Sequence, residues 1–123
     1  MAARIFLGLS ALIWIGFGLF GFFQPGFFAA AAGVTFTTPT GATDMRATYG
    51  GLSTAIGAIA LAGVLRPVFT RQALGVLAAL AAGLGGARLI GVALDGELTA
   101  WTVQALVFEL GTVALGAWLL RRA

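Results

Sequence analysis

The sequence contains no cysteine, no histidine, no lysine and no asparagine. The lack of cysteine excludes disulfides and thiol chemistry, and the lack of histidine excludes imidazole as a metal ligand, a haem ligand or a catalytic base. The lack of lysine excludes Schiff-base chemistry. Any proton or metal chemistry would have to use the single tyrosine, a few hydroxyl groups and the carboxylates, which are Asp44, Asp95, Glu97 and Glu109. We therefore expect no metal and no cofactor, and the residue types weigh against an enzyme.

Charged residues are also scarce, since they make up 9% of the 123 residues whereas 60% are hydrophobic. The mean hydropathy is +1.04, and in soluble domains roughly a quarter of the residues are charged. Lipid must therefore be the solvent for most of the chain, so that its function resides in the membrane or at the membrane surface.

The few charges are mostly basic, giving a formal net charge of +3 and an isoelectric point of about 11.2. Such a balance can indicate nucleic-acid binding, but the only run of basic residues is Arg121-Arg122, and no soluble module is present to display it. We expect no nucleic-acid partner. The basic residues are better explained by membrane topology.

Hydrophobic runs long enough to cross a bilayer, which takes about 20 residues, occur four times. Gln24-Pro25 ends the first run, Arg66-Pro67 ends the second and the turn Asp95-Gly96-Glu97 follows the third. Asp44 is placed to cap the second helix. The predicted helices cover about residues 5–23, 46–65, 72–94 and 98–120, with an outer loop at 24–44 that contains at most one short turn. The sequence thus predicts an all-α fold, an integral membrane four-helix transmembrane bundle that forms a single domain over residues 1–123.

The first run has a second interpretation, because Arg4 and the alanines at 29–32 resemble the charged start and the cleavage site of a signal peptide. The apolar stretch from Ile5 to Phe23 is longer than the roughly 7–15 residues usual for a signal peptide. We therefore expect this run to be retained as a membrane span.

Arginines are distributed unevenly between the two ends of the predicted bundle. One end carries five of them, Arg4, Arg66, Arg71, Arg121 and Arg122, and the other carries Arg46 with three acidic residues. Because basic residues are enriched in cytoplasmic loops, the N- and C-termini are predicted to be cytoplasmic and the long loop to lie outside. The chain is predicted to be a multi-pass protein of the cell inner (plasma) membrane.

Small residues recur at every fourth position in two of the predicted spans. They are Gly50, Thr54, Ala58 and Ala62 in the second span, and Gly75, Ala79, Gly83, Ala87 and Gly91 in the third. Lipid provides no hydrophobic drive for helix association, so close packing has to hold such a bundle together. We expect these stripes to face neighbouring helices of the same chain, and we do not read them as a dimerisation signal.

Two ionisable residues fall well inside the predicted spans, Arg88 in the third and Glu109 in the fourth. Charged side chains are costly at this depth and mark candidate functional sites. With a helical rise of about 1.5 Å per residue, the two lie at matching depths on consecutive antiparallel helices. We predict that they form an ion pair, because either charge alone in hydrocarbon would cost several kcal/mol.

Further polar residues lie toward the same end of the bundle. Asp95 follows Arg88 by two helical turns and so lies near the same helix face. The candidate ligand-binding residues are Arg46, Tyr49, Arg88, Asp95 and Glu109, with Gln104 as a neighbour. Together they would form a polar cavity open to the outside. The alternative is a structural clamp, in which the ion pair only locks two helices together.

Three segments give the chain a family resemblance: Asp44-Met45-Arg46-Ala47-Thr48-Tyr49-Gly50-Gly51, then Arg88-Leu89-Ile90-Gly91 with Asp95-Gly96, and Glu109. Over nearly its whole length the chain resembles an uncharacterised bacterial family of small four-helix membrane proteins, a domain of unknown function near the DoxX/DoxD-like superfamily. The resemblance implies a fold and a recurring polar set but no activity. Some DoxX-like relatives are associated with quinone-linked redox complexes, and the lack of cysteine and histidine weighs against a direct redox role here.

Three functions fit these observations. The first is a non-catalytic membrane protein, either an accessory subunit of a larger membrane assembly or a component of it that binds a lipid or small molecule. Its partners would be membrane lipids and other membrane subunits. The second is a quinone-interacting, redox-associated subunit in which Arg88, Glu109 and Tyr49 contact a head group. The third is a small transporter, which we disfavour because the spans show no inverted repeat.

Overall fold

A computed structural model describes residues 1–123 and contains four helices that are long and apolar enough to cross a membrane. The four helices are span 1, Ala2–Phe23; span 2, Pro39–Leu65; span 3, Pro67–Asp95; and span 4, Ala100–Arg122. A short helix, Pro25–Ala31, which we call the connecting helix, lies between spans 1 and 2. The structure contains no strand. The predicted all-α fold with four membrane-spanning helices is confirmed.

Proline, glycine and threonine set the ends of these helices. Gln24 and Arg66 have a φ of −126°, outside the helical region, because each precedes a proline. Gly96 ends span 3 in the left-handed region, with a φ of 72°, and its N–H donates to a carbonyl of the last turn. Thr99 caps span 4, its hydroxyl oxygen accepting a hydrogen bond from the N–H of Thr102 at 3.3 Å. The chain therefore breaks at the positions that the sequence predicted.

The segment between spans 1 and 2 contains more helix than the sequence predicted. The connecting helix occupies its first part, and span 2 begins at Pro39, well before the expected start. The prediction that Asp44 caps span 2 is wrong. Thr38 is the cap, its hydroxyl oxygen accepting a hydrogen bond from the N–H of Gly41 at 3.2 Å. The helix starts early because Pro39 is preorganised for the first helical position and the threonine before it can satisfy a free N–H.

Span 2 contains a π-helical segment, Arg46–Leu52, with α-helix on either side. A π-helix is wider than an α-helix and leaves its carbonyls less regularly paired. The carbonyl of Gly50 accepts two hydrogen bonds, one from the N–H of Ser53 and one from the hydroxyl of Thr54 at 2.8 Å. Segments of this kind are frequent at functional sites.

Spans 1 and 2 pack closely through glycine. A Cβ added at Gly57 would lie 2.5 Å from Cγ1 and 2.8 Å from the backbone N of Ile15, and one added at Gly50 would lie 2.8 Å from the Cβ of Phe22. The missing side chains let the two backbones approach, as expected for helices that associate in lipid. Spans 3 and 4 form a second close pair, whereas the backbones of spans 1 and 4 approach each other at few points. The bundle therefore consists of two tight pairs joined mainly through spans 2 and 3.

The small-residue stripe of span 3 does not face a neighbouring helix, so this prediction is wrong. A Cβ added at Gly75, Gly83 or Gly91 would meet nothing within 4 Å. Other residues form the buried face of span 3: Ala73, Leu74, Leu77, Ala81 and Gly85. The recurrence of small residues at every fourth position does not identify the packed face of span 3, because alanine and glycine occur on every side of this helix. In span 2 the first half of the stripe, Gly50 and Thr54, contacts span 1, whereas Ala58 is exposed.

The hydrophobic core lies toward the end of the bundle that carries both termini. All four spans contribute to it, through Leu7, Ala11, Trp14, Ile56, Ala60, Ala73, Leu74, Leu77 and Leu119. The large side chains of this cluster pack between the spans at this end. The intramembrane charged residues, Arg88 and Glu109, lie in the other half.

Candidate ligand-binding site

A cavity of about 290 Å³ lies in the half of the bundle away from the termini. All four spans line it, and 10 of its 15 lining residues are hydrophobic. Tyr49 is counted among these ten although it carries a hydroxyl, and the other five lining residues are Thr48, Ser53, Arg88, Gln104 and Glu109. The backbones of spans 1 and 4 are far apart along most of their length, so side chains line the space between them, and the π-helical segment of span 2 lines one side of the cavity.

An ion pair between spans 3 and 4 forms part of the cavity wall. Arg88 donates from Nε to Oε2 of Glu109 at 3.1 Å and from Nη2 to Oε1 at 2.7 Å. Such paired hydrogen bonds between a guanidinium and a carboxylate are among the strong ones in proteins. The arginine side chain is 31% exposed and the glutamate side chain 5%. The predicted ion pair is therefore present, and the arginine is its accessible member.

Glycine allows this pair to form. A Cβ added at Gly85 of span 3 would lie 3.4 Å from the Cβ of Glu109 and 3.3 Å from a methyl group of Leu110. A side chain at this position would crowd span 4 at the level of the carboxylate. Gly85 thus lets span 4 bring Glu109 within reach of the guanidinium one turn further along span 3.

Trp14 of span 1 contributes a buried indole to the cavity wall. Its ring packs edge to face against Phe108 of span 4, with the centroids 5.6 Å apart. Its Nε1 is the only buried side-chain polar atom in the protein that has no hydrogen-bond partner. Buried donors are normally paired, and one left without a partner costs about 1–3 kcal/mol. The wall therefore holds one donor that nothing in the protein satisfies.

Phe28 of the connecting helix packs behind the cavity wall, on three rings that line the cavity. Its ring is stacked on Phe17 with a centroid distance of 3.9 Å, and it lies 6.1 Å from the ring of Tyr49 and 6.0 Å from that of Trp101. These three aromatic residues come from spans 1, 2 and 4, and all three line the cavity. Phe28 is itself buried. The connecting helix thus forms an aromatic cap over the polar half of the bundle.

Residues 2–120 match the family described as a domain of unknown function, DUF4345. The chain belongs to this family. It matches no curated protein and no solved structure. Membership of DUF4345 confirms the predicted resemblance to a family of unknown function, while the bacterial origin and the relation to the DoxX/DoxD-like superfamily stay predictions.

In this DUF4345 protein, three of the five residues predicted as ligand-binding candidates line the cavity: Tyr49, Arg88 and Glu109. Gln104, predicted as a neighbour, lines it too. These residues were predictable from their depth in the membrane, because depth depends only on the helical rise, which the structure reproduces.

The other two candidates lie outside the cavity wall. Arg46 donates a hydrogen bond from Nε to the carbonyl of Phe22 at 3.2 Å, so it ties the π-helical segment of span 2 to the end of span 1. Asp95 is exposed at the last position of span 3 and forms no ion pair. It is two turns beyond Arg88, beyond the reach of the cavity. The site is therefore smaller and less charged than the sequence predicted.

Sequence reasoning missed Trp14 and Phe28. Trp14 did carry a readable signal, because tryptophan is enriched at membrane interfaces and this one lies in the middle of a span. A buried tryptophan away from the interface needs a partner for its N–H. Phe28 carried no such signal, since its role depends on how the connecting helix folds back over the bundle.

Proposed function

We propose that this protein is a multi-pass membrane protein that binds a lipophilic small molecule within the bilayer and does not transform it chemically. The observation that carries the proposal is a mostly apolar cavity whose wall holds an ion pair and a buried indole N–H without a partner. Small-molecule sites typically combine an apolar wall with a few polar groups that orient the ligand. The cavity volume of about 290 Å³ lies at the lower end of the usual range. It suits one ring system or one chain end, and the rest of a larger ligand would extend into the bilayer.

The walls of the cavity support entry of the ligand from the lipid. Ile13, Leu52 and Leu84 line the cavity and are 48%, 54% and 41% exposed. In a bilayer these apolar side chains face acyl chains, so a lipophilic molecule reaches the cavity without crossing a polar barrier. The aromatic cap of the connecting helix covers the opposite route, from the aqueous side.

The proposal extends to a role as an accessory component of a larger membrane assembly in the cell inner (plasma) membrane. The residue composition supports a non-catalytic role, because cysteine, histidine and lysine are lacking. The exposed small-residue face of span 3 supports contact with another membrane subunit, because such faces let helix backbones approach closely. The arginine distribution supports cytoplasmic termini, which would put the cavity in the outer half of the membrane.

A quinone-interacting redox subunit is the second candidate function and would use the same cavity. The aromatic rings in the wall, Trp14, Tyr49 and Trp101, favour a planar ring in the ligand because flat rings stack on one another. This candidate predicts a bound molecule that can be reduced and reoxidised. Non-catalytic binding of a lipophilic molecule, the first candidate function, predicts only that a molecule is bound.

The test is to ask whether filling the cavity removes a molecule that copurifies with the protein. Ala105 lines the cavity, whereas Ala114 is on the same span, exposed and away from it. Wild type, Ala105→Phe and Ala114→Phe would be purified gently from the native membrane, and the organic extracts compared by mass spectrometry. We expect one lipophilic compound enriched in wild type and Ala114→Phe and lost in Ala105→Phe. Identical extracts from all three proteins would refute the proposal.

A further inference from the structure

The hydrogen-bonding groups in the cavity wall are biased toward donors. Arg88 and Trp14 can only donate, since a guanidinium has five N–H groups and an indole one. Glu109 occupies two of the guanidinium N–H groups, which leaves three without that partner, and the indole N–H has none. The other polar side chains of the wall both donate and accept, so they introduce no bias; they are Thr48, Tyr49, Ser53 and Gln104.

The only group in the wall that purely accepts is the carboxylate of Glu109. Both of its oxygens already accept a hydrogen bond from Arg88, and its side chain is 5% exposed. A ligand in the cavity therefore meets the partly exposed guanidinium before it meets the carboxylate, and it reaches the buried indole N–H once the Trp14 ring shifts. The N–H donors of the guanidinium and the indole form hydrogen bonds with acceptor oxygens.

The cavity wall also carries no net charge. Arg88 and Glu109 neutralise each other, and no other charged residue lines the cavity. A ligand with a net charge would therefore add an uncompensated charge at a depth where such charges are costly. An anion would lie beside a buried carboxylate, and a cation would face a guanidinium.

We propose that the ligand is an uncharged lipophilic molecule whose polar end carries acceptor oxygens, as in a ketone or an ester, and that these oxygens accept hydrogen bonds from Arg88 and Trp14. This inference rests on the proposed function, since it names the chemical class of ligand for the same cavity. The donor bias selects acceptor oxygens, and the neutral ion pair selects against charge. The aromatic and aliphatic walls hold the rest of the molecule.

Tryptophan fluorescence can report on this cavity, because bromine atoms on an acyl chain quench an indole that they touch. The protein has three tryptophans. Trp101→Phe with Trp118→Phe leaves Trp14, which is 9% exposed and lines the cavity. Trp14→Phe with Trp101→Phe leaves Trp118, which is 46% exposed and outside the cavity, as the control for bulk lipid. Both proteins would be placed in vesicles of unlabelled phosphatidylcholine.

Four probes with the same brominated chain would then be added: the alkane, the methyl ester, the carboxylate at a pH well above its pKa, and the trimethylammonium compound. We expect the ester to half-quench Trp14 at a membrane concentration about tenfold lower than either charged probe or the alkane, a difference of about 1.4 kcal/mol. All four probes should quench Trp118 at similar membrane concentrations. The inference is overturned if the carboxylate or the ammonium compound matches the ester at Trp14.

Three further outcomes distinguish failure of this inference from failure of the proposed function. If no probe quenches Trp14, the cavity binds no lipophilic molecule and both proposals fail. If vesicles of chain-brominated phosphatidylcholine quench Trp14 as strongly as Trp118, bulk lipid fills the cavity and both fail again. A carboxylate preference at Trp14 leaves the proposed function standing and refutes only the choice of an uncharged ligand.

A charge-altering variant gives a readout that a merely structural role would not change. Glu109→Gln leaves Arg88 without its counter-charge, so the carboxylate probe should gain about tenfold relative to the ester. Arg88→Gln combined with Glu109→Gln restores neutrality, so the ester should again bind better than the carboxylate. The double variant keeps the test valid if Glu109→Gln alone does not fold. An unchanged order of probes in both proteins would refute the electrostatic argument.

Discussion

Arg88 and Glu109 hold spans 3 and 4 together through two parallel hydrogen bonds, of 3.1 Å and 2.7 Å, and the same pair forms part of the cavity wall. The carboxylate is the buried member and the guanidinium is the partly exposed one. A clamp needs only the bonds between the two side chains. A binding site needs in addition that the arginine remain accessible, as it does here.

Removing one member of the pair should cost more than removing both. Arg88→Leu or Glu109→Leu leaves an unpaired charge in the membrane, and each should lower the free energy of unfolding by about 3 kcal/mol. The double replacement leaves only apolar side chains and should recover part of the loss. Unfolding of the detergent-solubilised protein by a denaturing detergent measures all four members of the cycle.

The cycle also separates the clamp from the binding site. If the pair is only a clamp, the double variant should recover binding of the copurified molecule along with stability, whereas at a binding site it should recover stability alone. Strictly additive losses would contradict the ion pair, because residues in contact show an interaction energy in such a cycle.

Neighbouring glycines in span 2 provide a matched test of helix packing. A Cβ at Gly50 would lie 2.8 Å from the Cβ of Phe22, whereas one at Gly51 would meet nothing within 4 Å. Gly50→Ala should therefore lower the free energy of unfolding by about 1–3 kcal/mol through overpacking. Gly51→Ala should be neutral or stabilising by up to about 1 kcal/mol, because alanine loses less backbone entropy on folding. Equal effects in the same unfolding assay would contradict the close approach of spans 1 and 2.

The sequence alone predicted the helix ends and the ion pair of this structure but not the buried face of span 3. Helix ends were predictable where proline or glycine dictates the backbone, as at Gln24 and Gly96, and the Arg88–Glu109 pair was predictable from helical rise alone. These inferences depend on a residue and its neighbours along the chain. The buried face of span 3 was not predictable, because alanine and glycine lie all around that helix and only tertiary contacts choose among them.

The site itself was predictable only in part, for a related reason. The π-helical winding of span 2 and the folding back of the connecting helix decide which side chains meet, and neither has a signal in the residue pattern. The sequence thus placed Arg46 and Asp95 with the site from their depth, and it missed Phe28, whose contacts come from distant segments. Depth along a helix follows from counting residues, whereas convergence of side chains requires the tertiary fold.

The aromatic cap predicts a change in water access when it is removed. Because the protein has no cysteine, Ser53→Cys would introduce a single thiol in the cavity wall at a position that is 5% exposed. Phe28→Ala in this background should raise the rate of labelling by a water-soluble maleimide several-fold. Phe27→Ala is the control, since Phe27 is 60% exposed and packs on Phe20 and Phe28 rather than on the rings of the wall. Equal labelling rates in the two variants would mean that Phe28 does not seal the cavity.

The orientation in the membrane is tested by reporters at the two ends of the bundle. A reporter fused after Arg122 should be active in the cytoplasm, and a tag inserted near Thr38 should be accessible from outside, because five arginines lie at the end that carries the termini. The reverse pattern would put the cavity in the cytoplasmic half of the membrane. A mature protein that starts near Ala31 would show instead that span 1 is cleaved.

Trp14→Phe removes the unpaired donor while keeping an aromatic ring in place. In the empty protein the change should be nearly neutral, within about 1 kcal/mol, because the small void left by the indole offsets the relief of an unsatisfied N–H. Binding of the methyl ester should weaken about tenfold, since one hydrogen bond contributes about 1–1.5 kcal/mol. Trp101 remains in the cavity wall as the fluorescent reporter of binding.

Trp118→Phe is the matched control, because the Trp118 ring lies outside the cavity, with the Arg122 guanidinium 4.3 Å from its centroid. Loss of this ring should leave ester binding unchanged. If Trp14→Phe instead lowers stability as much as truncating a core side chain and leaves ester binding intact, the indole serves only to pack against Phe108 and the donor plays no part in recognition.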